Sequence, residues 1–353
     1  MSDDGFTDER RARIRLNVSK RVDQDMLSNF RKVLGRRFDQ AFHSIDFRSF
    51  RAALDRVGLP RGSTVCVHSA LGSLGFVEGG PRTIIEALID AVGREGCVAM
   101  PSYPTLGSMA KYLDTNPVFD VRHTPSKVGS LTELFRTWPG ALRSAHPTNP
   151  LAAWGDGAEE LLRDHECSPT PYGDETPFGR MARMDSSYIL MIETPILSLL
   201  HHLQERANFP NYLLPGEREA RIIDWEGRRR IVRTRLLRPK IPYYIAIPPQ
   251  SGQGDPDWAI LHDFALIATR TREKEIRHMK YRLGGWKPIA ERRAALANAG
   301  HFASTRLGKG EVALLRVKPF MEIVTPELEA LVERFRPCYE LERLEKIDLP
   351  VYS

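Results

Sequence analysis

The chain has 353 residues, 42% of them hydrophobic and 27% charged, with a net charge of +6. That is an ordinary globular composition, long enough to bury a sizeable core. No run approaches the roughly 18 apolar residues that span a bilayer, and MSDDGFTDERRARIR at the N-terminus has no apolar signal core, so a cytoplasmic protein without a membrane partner is expected.

Residues 1–48 read as an appended helical extension. From Asp23 to Phe42, apolar Met26, Leu27, Phe30, Val33, Leu34 and Phe38 fall near helical spacing, suited to docking on the body or to homodimer formation. Residues 49–353 form the main body. A helix is predicted over Ser49–Val57, stopped by GLPRG. A strand follows at Thr64–His68, then the loop SALGSLGFVEGG, a helix over Pro81–Val92 and a strand over Cys97–Pro101. Pro81 suits a first helical turn. Strand, loop, helix and strand make a βαβ unit, hence α/β architecture with a central mixed sheet covered by helices.

Residues 102–125 read as a long loop, Ser126–Trp138 as a helix, 139–155 as a loop and Asp156–Asp164 as a helix. Cys167–Gly179 reads as a loop, Tyr188–Ile192 as a strand and Ile196–Ala207 as a helix. Antiparallel strands with a turn at Glu226–Gly227 are expected over 220–248, then a helix at Trp258–Thr269, a strand at Val312–Val317 and a helix at Pro326–Phe335.

Cys66, Cys97, Cys167 and Cys338 form no Cys-x-x-Cys pair and fit no zinc spacing. No metal is expected, and the thiols read as buried or incidental. Basic residues concentrate in 227–240 and 270–282. These are solvated faces or an attraction for phosphates. No zinc-finger, RRM or helix-turn-helix pattern points to nucleic acid.

Four constellations could carry chemistry. His68-Ser69-Ala70-Leu71-Gly72-Ser73-Leu74-Gly75, ahead of a helix start, could offer backbone N–H groups to an anion or a thioester oxygen; glycines also mark ordinary turns. His146, in RSAHP, is a loop histidine before a proline. Asp174 and Glu175, in PYGDETPFGRM, could hold a cationic or hydroxylated ligand, or cap the next helix. In LHHLQE, His202 and Glu205 are three apart and share a helical face, either as a general base with its carboxylate or as a surface pair.

In combination these pieces resemble the aminoglycoside 3-N-acetyltransferase family of antibiotic N-acetyltransferases. The likeness runs in order through VHSALGSLGFVEGG, AVGREGCVAMPSY, PVFDVRHTPSKVGSLTELFRTWPGALRSAHPTNPLAAWG, PYGDETPFGRM and ILMIETPILSLLHHLQE. It implies an α/β fold distinct from the GNAT fold, and acetyl transfer from acetyl-CoA to an amine in a ternary complex. It puts His68–Gly75 along the pantetheine arm and thioester, with Ser126 nearby and His146 supporting the site. The catalytic His of an H-x-x-E pattern maps to His202, with Glu205 as partner; the doublet leaves His201 as the alternative.

Two positions depart from the family pattern. Glu193 replaces the usual Gly after the strand. Leu199 stands where a Thr would lie three residues before His202, with Ser198 one position off. Asp174, Glu175, Glu193 and Glu205 could line an acidic acceptor pocket. The basic balance of the chain favours a neutral or anionic amino sugar, as in surface-polysaccharide synthesis, over a polycationic aminoglycoside. Two further classes are a non-catalytic coenzyme A- or partner-binding homologue and a hydrolase using Ser69 or Cys66, which would lack the G-x-S-x-G elbow.

Overall fold

The computed structural model describes residue 40 and residues 43–194, 197–208, 212–237, 244–246, 258–260 and 294–335. The expected N-terminal helix over 23–42 apart from residue 40, Cys338 and the whole basic run 270–282 lie outside the described residues.

The body begins upstream of the expected boundary at residue 48. Strand β1 (Ser44–Ile45) pairs in parallel with β3 (Phe76–Val77), and Ile45 is wholly buried. Asp46 caps helix α1 (Phe47–Arg56), accepting from Ser49 N–H, while Ser49 Oγ accepts from Asp46 N–H in return. This reciprocal cap starts the helix two residues before the position its apolar pattern suggests. Strand β2 (Thr64–Ser69), helix α2 (Pro81–Val92) and strand β4 (Cys97–Pro101) form the predicted βαβ unit, β2 and β4 being parallel.

Two elements replace the long loop expected at 102–125. These are α3 (Met109–Asp114), whose N-cap Ser108 accepts Lys111 N–H, and β5 (Val118–Asp120). Helix α4 (Ser130–Arg136) is shorter than predicted, and β6 (Leu142–Arg143) and β7 (Leu151–Gly155) occupy a second expected loop. Gly and Pro hid β7 in the sequence. Gly155 is required there: its φ is 112°, and a Cβ would lie 2.0 Å from the Gly96 carbonyl oxygen.

Helices α5 (Ala158–Leu162) and α6 (Pro177–Arg183) follow, then strand β8 (Ser187–Ile192) and helix α7 (Leu199–Arg206). Strands β9 (Arg218–Ile223) and β10 (Arg229–Thr234) are antiparallel, as expected, and β9 also pairs with β5. Strand β11 (Tyr244–Ala246) pairs with β12 (Trp258–Ile260), so the predicted helix at Trp258 begins instead as strand. Strands β13 (Phe302–Leu307) and β14 (Gly310–Arg316) make a hairpin, and α8 (Val317–Phe335) closes the described chain. Pro326 lies inside α8 rather than at its start. The buried spacing Val317, Phe320, Met321, Val324 and Leu328 carries the helix through it.

The main sheet has the strand order β13-β14-β8-β2-β4-β7-β6. Its centre, β8-β2-β4, is parallel, and both flanks are antiparallel. The period-2 pleat of β2 sorts its side chains between two layers. Val65 and Val67 join a core with Phe50 and Leu54 of α1 and Ile84, Ile85 and Leu88 of α2. Cys66 faces the opposite core, with Phe178 of α6, Leu199 and Leu203 of α7 and Phe320 of α8. His68 shares the parity of Cys66 and so points to the α7 side. No helix among the described residues is long and apolar enough to cross a membrane.

Candidate active site at the C-terminal edge of the parallel strands

The parallel strands β2, β4 and β8 end at one edge of the sheet, the usual place for chemistry in α/β proteins. Beyond them lie the loop 70–75, Ser102 and Tyr103, and the entry to α7. Tyr103 donates its hydroxyl proton to Ser198 Oγ at 3.1 Å. The Tyr172 hydroxyl therefore donates to Tyr103, at 2.9 Å, and accepts from Asn149 Nδ2 at 3.0 Å. Burial pushes the Tyr103 phenol up to about 12, so this knot stays protonated at neutral pH.

The two imidazoles of the doublet project roughly 100° apart around α7. The His201 ring lies 4.7 Å from the Tyr172 ring and 5.9 Å from Tyr212. It is also near His68: burial, and then the charge of His201, push His68 down to about 4. His202 is 1% exposed. Its Nδ1–H donates to the Tyr172 carbonyl at 2.7 Å, and its buried Nε2 has no hydrogen-bond partner, with Asp174 Oδ1 4.0 Å away. Burial lowers its basicity, against the Tyr172 hydrogen bond and Asp174; Arg206 and Arg183 lower it further.

Glu205 does not touch His202 directly. Its Oε1 accepts Tyr172 N–H at 3.1 Å, so both side chains bond the backbone of Tyr172, on the two peptide groups that flank it. Burial raises its carboxyl to about 7, against hydrogen bonds from Thr170 and Tyr172. Folding therefore disfavours the ionised carboxylate, and stability falls as pH rises from the ordinary 4.5 to about 7. A Glu205→Gln variant is expected to gain on wild type progressively across that window and to hold a constant offset above it. Thermal melts from pH 4 to 9 check this; parallel curves would refute it.

The family model for aminoglycoside 3-N-acetyltransferase matches residues 66–329. The chain belongs to the aminoglycoside 3-N-acetyltransferase family. Among curated relatives, an aminoglycoside N(3')-acetyltransferase-like protein of Bacillus subtilis, YokD, is 33% identical over 163 residues, 41% of this chain and 58% of the relative. Aminoglycoside N(3)-acetyltransferase IX of Micromonospora chalcea is 32% identical over 43% of this chain and 59% of its own. The chain thus spans less than two thirds of the length of these relatives. The solved structure of aminoglycoside acetyltransferase AAC(3)-Xa superposes with a TM-score of 0.58 at 25% identity, over 81% of this chain and 93% of that one. A structure described as AAC-IIIb binary with CoASH shares the fold at 24% identity and a TM-score of 0.55, over 83% of this chain and 98% of that one.

Several expected site residues have partners within the fold. Leu74 is wholly buried and its carbonyl accepts Lys309 N–H at 3.0 Å, so it anchors the β13–β14 turn rather than lining a channel. A Cβ on Gly75 would lie 2.7 Å from the His43 carbonyl oxygen, so this glycine allows close passage of the N-terminal strand. The N–H groups of Ala70, Ser73 and Leu74 bond Ile192, Ala70 and Leu71 carbonyls, which removes them as oxyanion donors. Leu71 and Gly72 open the short turn Leu71–Ser73, where the turn itself supplies no acceptor. Ser126 donates its N–H to Glu133 Oε2 at 2.6 Å, and its hydroxyl bonds Thr132 at 2.8 Å. Both bonds tie it to helix α4.

His146 is wholly buried. Its Nδ1 accepts Asn149 N–H at 3.1 Å, its Nε2–H donates to Thr234 at 3.3 Å, and its ring stacks on His165 at 4.6 Å. Burial, then His165, push it well below the ordinary imidazole value. It is a neutral brace rather than a substrate contact.

Glu193 is not an acceptor carboxylate either. Its Oε2 accepts Glu311 N–H at 2.6 Å in the neighbouring strand. Its φ of 48° explains the family's usual Gly, since a side chain there costs about 1–2 kcal/mol. The charge-assisted bond to Glu311 offsets that strain. Glu175 is exposed and lies 3.5 Å from Arg183 and 3.9 Å from Arg180. Of the four expected acids, Asp174 alone is both exposed and beside the doublet.

Sequence reasoning missed Tyr103, Asn149 and Tyr172, which join the strand ends to α7. Tyr172 sits in PYGDETPFG, and its aromatic ring beside turn residues was the available signal. Gly179 in the same motif lets α6 start against this loop, since a Cβ there would lie 2.2 Å from the Asp174 carbonyl oxygen.

Proposed function

We propose that the chain transfers an acetyl group from acetyl-CoA directly to an amine of a small amino sugar, with His201 as general base. The observation that carries this is the setting of His201, half-buried between the Tyr172 and Tyr212 rings and beside His68 where the parallel strands end. His202, the base expected from H-x-x-E spacing, has its Nδ1–H committed to Tyr172 and its Nε2 buried. Taking His201 as the base also restores a family feature. Ser198 then stands three residues ahead, where the family has Thr, and its hydroxyl is held by Tyr103.

In the proposed step the amine lone pair attacks the thioester carbon. The N–C bond forms, the C–S bond breaks, His201 takes the amine proton and coenzyme A leaves as its thiolate. Leu71 and Gly72 N–H groups are the loop donors suited to the developing oxyanion. A covalent acyl-enzyme on Cys66 is disfavoured, because burial pushes its thiol far above neutral pH.

The acceptor follows from charge. With Glu193 bonded to Glu311, Glu175 beside two arginines and Glu205 raised to about 7 and so only partly ionised at neutral pH, the rim offers little to a polycation. An amino sugar with one amine, free or nucleotide-linked, suits it better than a drug carrying several. The test is thiol release from acetyl-CoA with a nucleotide amino-sugar panel and a kanamycin-type aminoglycoside. A higher kcat/KM on the amino sugars is expected. Equal or faster turnover of the aminoglycoside would overturn the acceptor, and no release with any amine would overturn the reaction.

A further inference from the structure

We infer that Arg235 sets acceptor specificity, its guanidinium taking a phosphate group carried by the amino sugar. This rests on the transferase reading above and deepens it, selecting the phosphate-bearing acceptors among those that reading allows.

The basic run 227–240 divides once folded. Arg228 meets Asp224 at 3.0 Å, Arg230 meets Glu166 at 3.1 Å and Arg233 meets Glu219 at 2.8 Å. Those charges are matched by carboxylates of the fold. Arg235, just past the end of β10, is half-buried and has no such partner among the described residues. Its Nη2–H donates to the Leu214 carbonyl at 3.3 Å, while its Nε is buried without a hydrogen-bond partner among the described residues. Buried donors are normally satisfied, and a planar fork with N–H groups to spare matches two oxygens of a phosphate.

The position is beside the chemistry. Arg235 N–H donates to the Pro169 carbonyl at 2.8 Å, next to Thr170, which bonds Glu205. Leu214 follows Tyr212 by two residues, and the Tyr212 ring lies 5.9 Å from the His201 ring. The arginine is thus held between the two segments that flank the doublet. Glu205 is within reach of its charge, but burial raises that carboxyl to about 7, so it is only partly ionised at neutral pH. Most of the positive charge therefore remains for a ligand.

Thiol release from acetyl-CoA is measured with glucosamine, glucosamine 1-phosphate and uridine diphosphate-glucosamine, which present the same amine with no, one and two phosphates. Wild type is expected to favour a phosphorylated acceptor over glucosamine by about 10-fold or more in kcat/KM, and the two phosphorylated arms separate a sugar phosphate from a nucleotide-linked sugar. Arg235→Gln should raise KM for the favoured acceptor about 10- to 100-fold, while kcat, KM for acetyl-CoA and turnover of glucosamine move by less than about threefold. Arg235→Lys, which keeps the charge but loses the fork, should fall between. Equal losses on glucosamine would make Arg235 a structural residue, and a rise confined to KM for acetyl-CoA would assign it to the donor's phosphates. Either result overturns the proposal, as does a wild-type preference for glucosamine. If Arg235→Gln does not fold, inorganic pyrophosphate decides with wild type. Competition against the sugar supports the site; competition against acetyl-CoA alone, or no inhibition, refutes it.

Should wild type transfer nothing to any amine, the transferase reading fails by itself. Titration calorimetry with uridine diphosphate-glucosamine then tests the arginine directly. Binding that weakens about tenfold or more in Arg235→Gln supports the phosphate site; no binding, or equal binding by both proteins, sinks it.

Discussion

His201→Gln is expected to reduce kcat for acetyl transfer by about 10²- to 10⁴-fold, the usual worth of a positioned general base. Glutamine keeps a polar group near the imidazole Nε2 position and fills similar space, so folding and donor binding should survive. KM for acetyl-CoA should move by no more than about threefold, because the lost interaction exists only in the transition state. Steady-state thiol release with the best amino-sugar acceptor measures this, and titration calorimetry with coenzyme A checks that binding is retained. A variant with more than about a tenth of wild-type kcat would remove His201 from the chemistry. Parallel loss of coenzyme A affinity would make it a structural residue. His68 is the informative neighbour. Held neutral near 4 by burial and by His201, it should tolerate His68→Gln far better than His201 tolerates the same change.

Arg143→Met is expected to cause the largest loss of stability among single side-chain changes outside the apolar cores. Arg143 is 2% exposed, and its guanidinium donates to the carbonyls of Ser102, Val121 and Thr124 while lying 4.8 Å from the Phe119 ring centroid. Burial pushes it down to about 9, still protonated at neutral pH. Methionine fills much of the space but leaves three buried acceptors without their donor, at on the order of 1–3 kcal/mol each. Relief of the buried charge offsets part of this, leaving a net loss of about 3 kcal/mol. For a chain of this size that corresponds to about 4 °C in Tm. Arg233→Met, at an exposed pair with Glu219 2.8 Å away, is the control and should stay within about 0.5 kcal/mol. An Arg143 loss below about 1 kcal/mol would show that the loops bearing Ser102 and Thr124 hold without it. Because Tyr103 follows Ser102 directly, Arg143→Met should also lower kcat modestly.

Much of the fold is legible in the chain alone. The βαβ unit at 64–101 is local: β-rich apolar runs, Pro81 at a helix start and Gly93 at its end specify it without distant partners. The antiparallel β9–β10 hairpin follows likewise from its turn residues. The ordered motifs through LHHLQE likewise identified the family, because motif order survives where overall identity is low. Strands β6 and β7 escaped notice because they are short and flanked by Gly and Pro, and pairing with β4 stabilises what propensity does not. Helix α8 was cut short because Pro326 reads as a start, whereas packing of Val317, Phe320 and Met321 against the sheet overrides one lost hydrogen bond.

The sequence by itself determined the α/β class, the family, and the α7 segment that carries the proposed base. Which imidazole of the doublet faces the strand ends was decided only by tertiary structure. Adjacent residues on a helix point about 100° apart, and spacing to Glu205 fits either one. The neighbours contributed from β2, the 168–176 loop and Tyr212 separate them, and their arrangement is set by sheet order and packing. The same reason accounts for His146, Ser126 and Glu193. Each is a residue type suited to catalysis, and each is occupied by a partner from a distant part of the chain that no local pattern reveals.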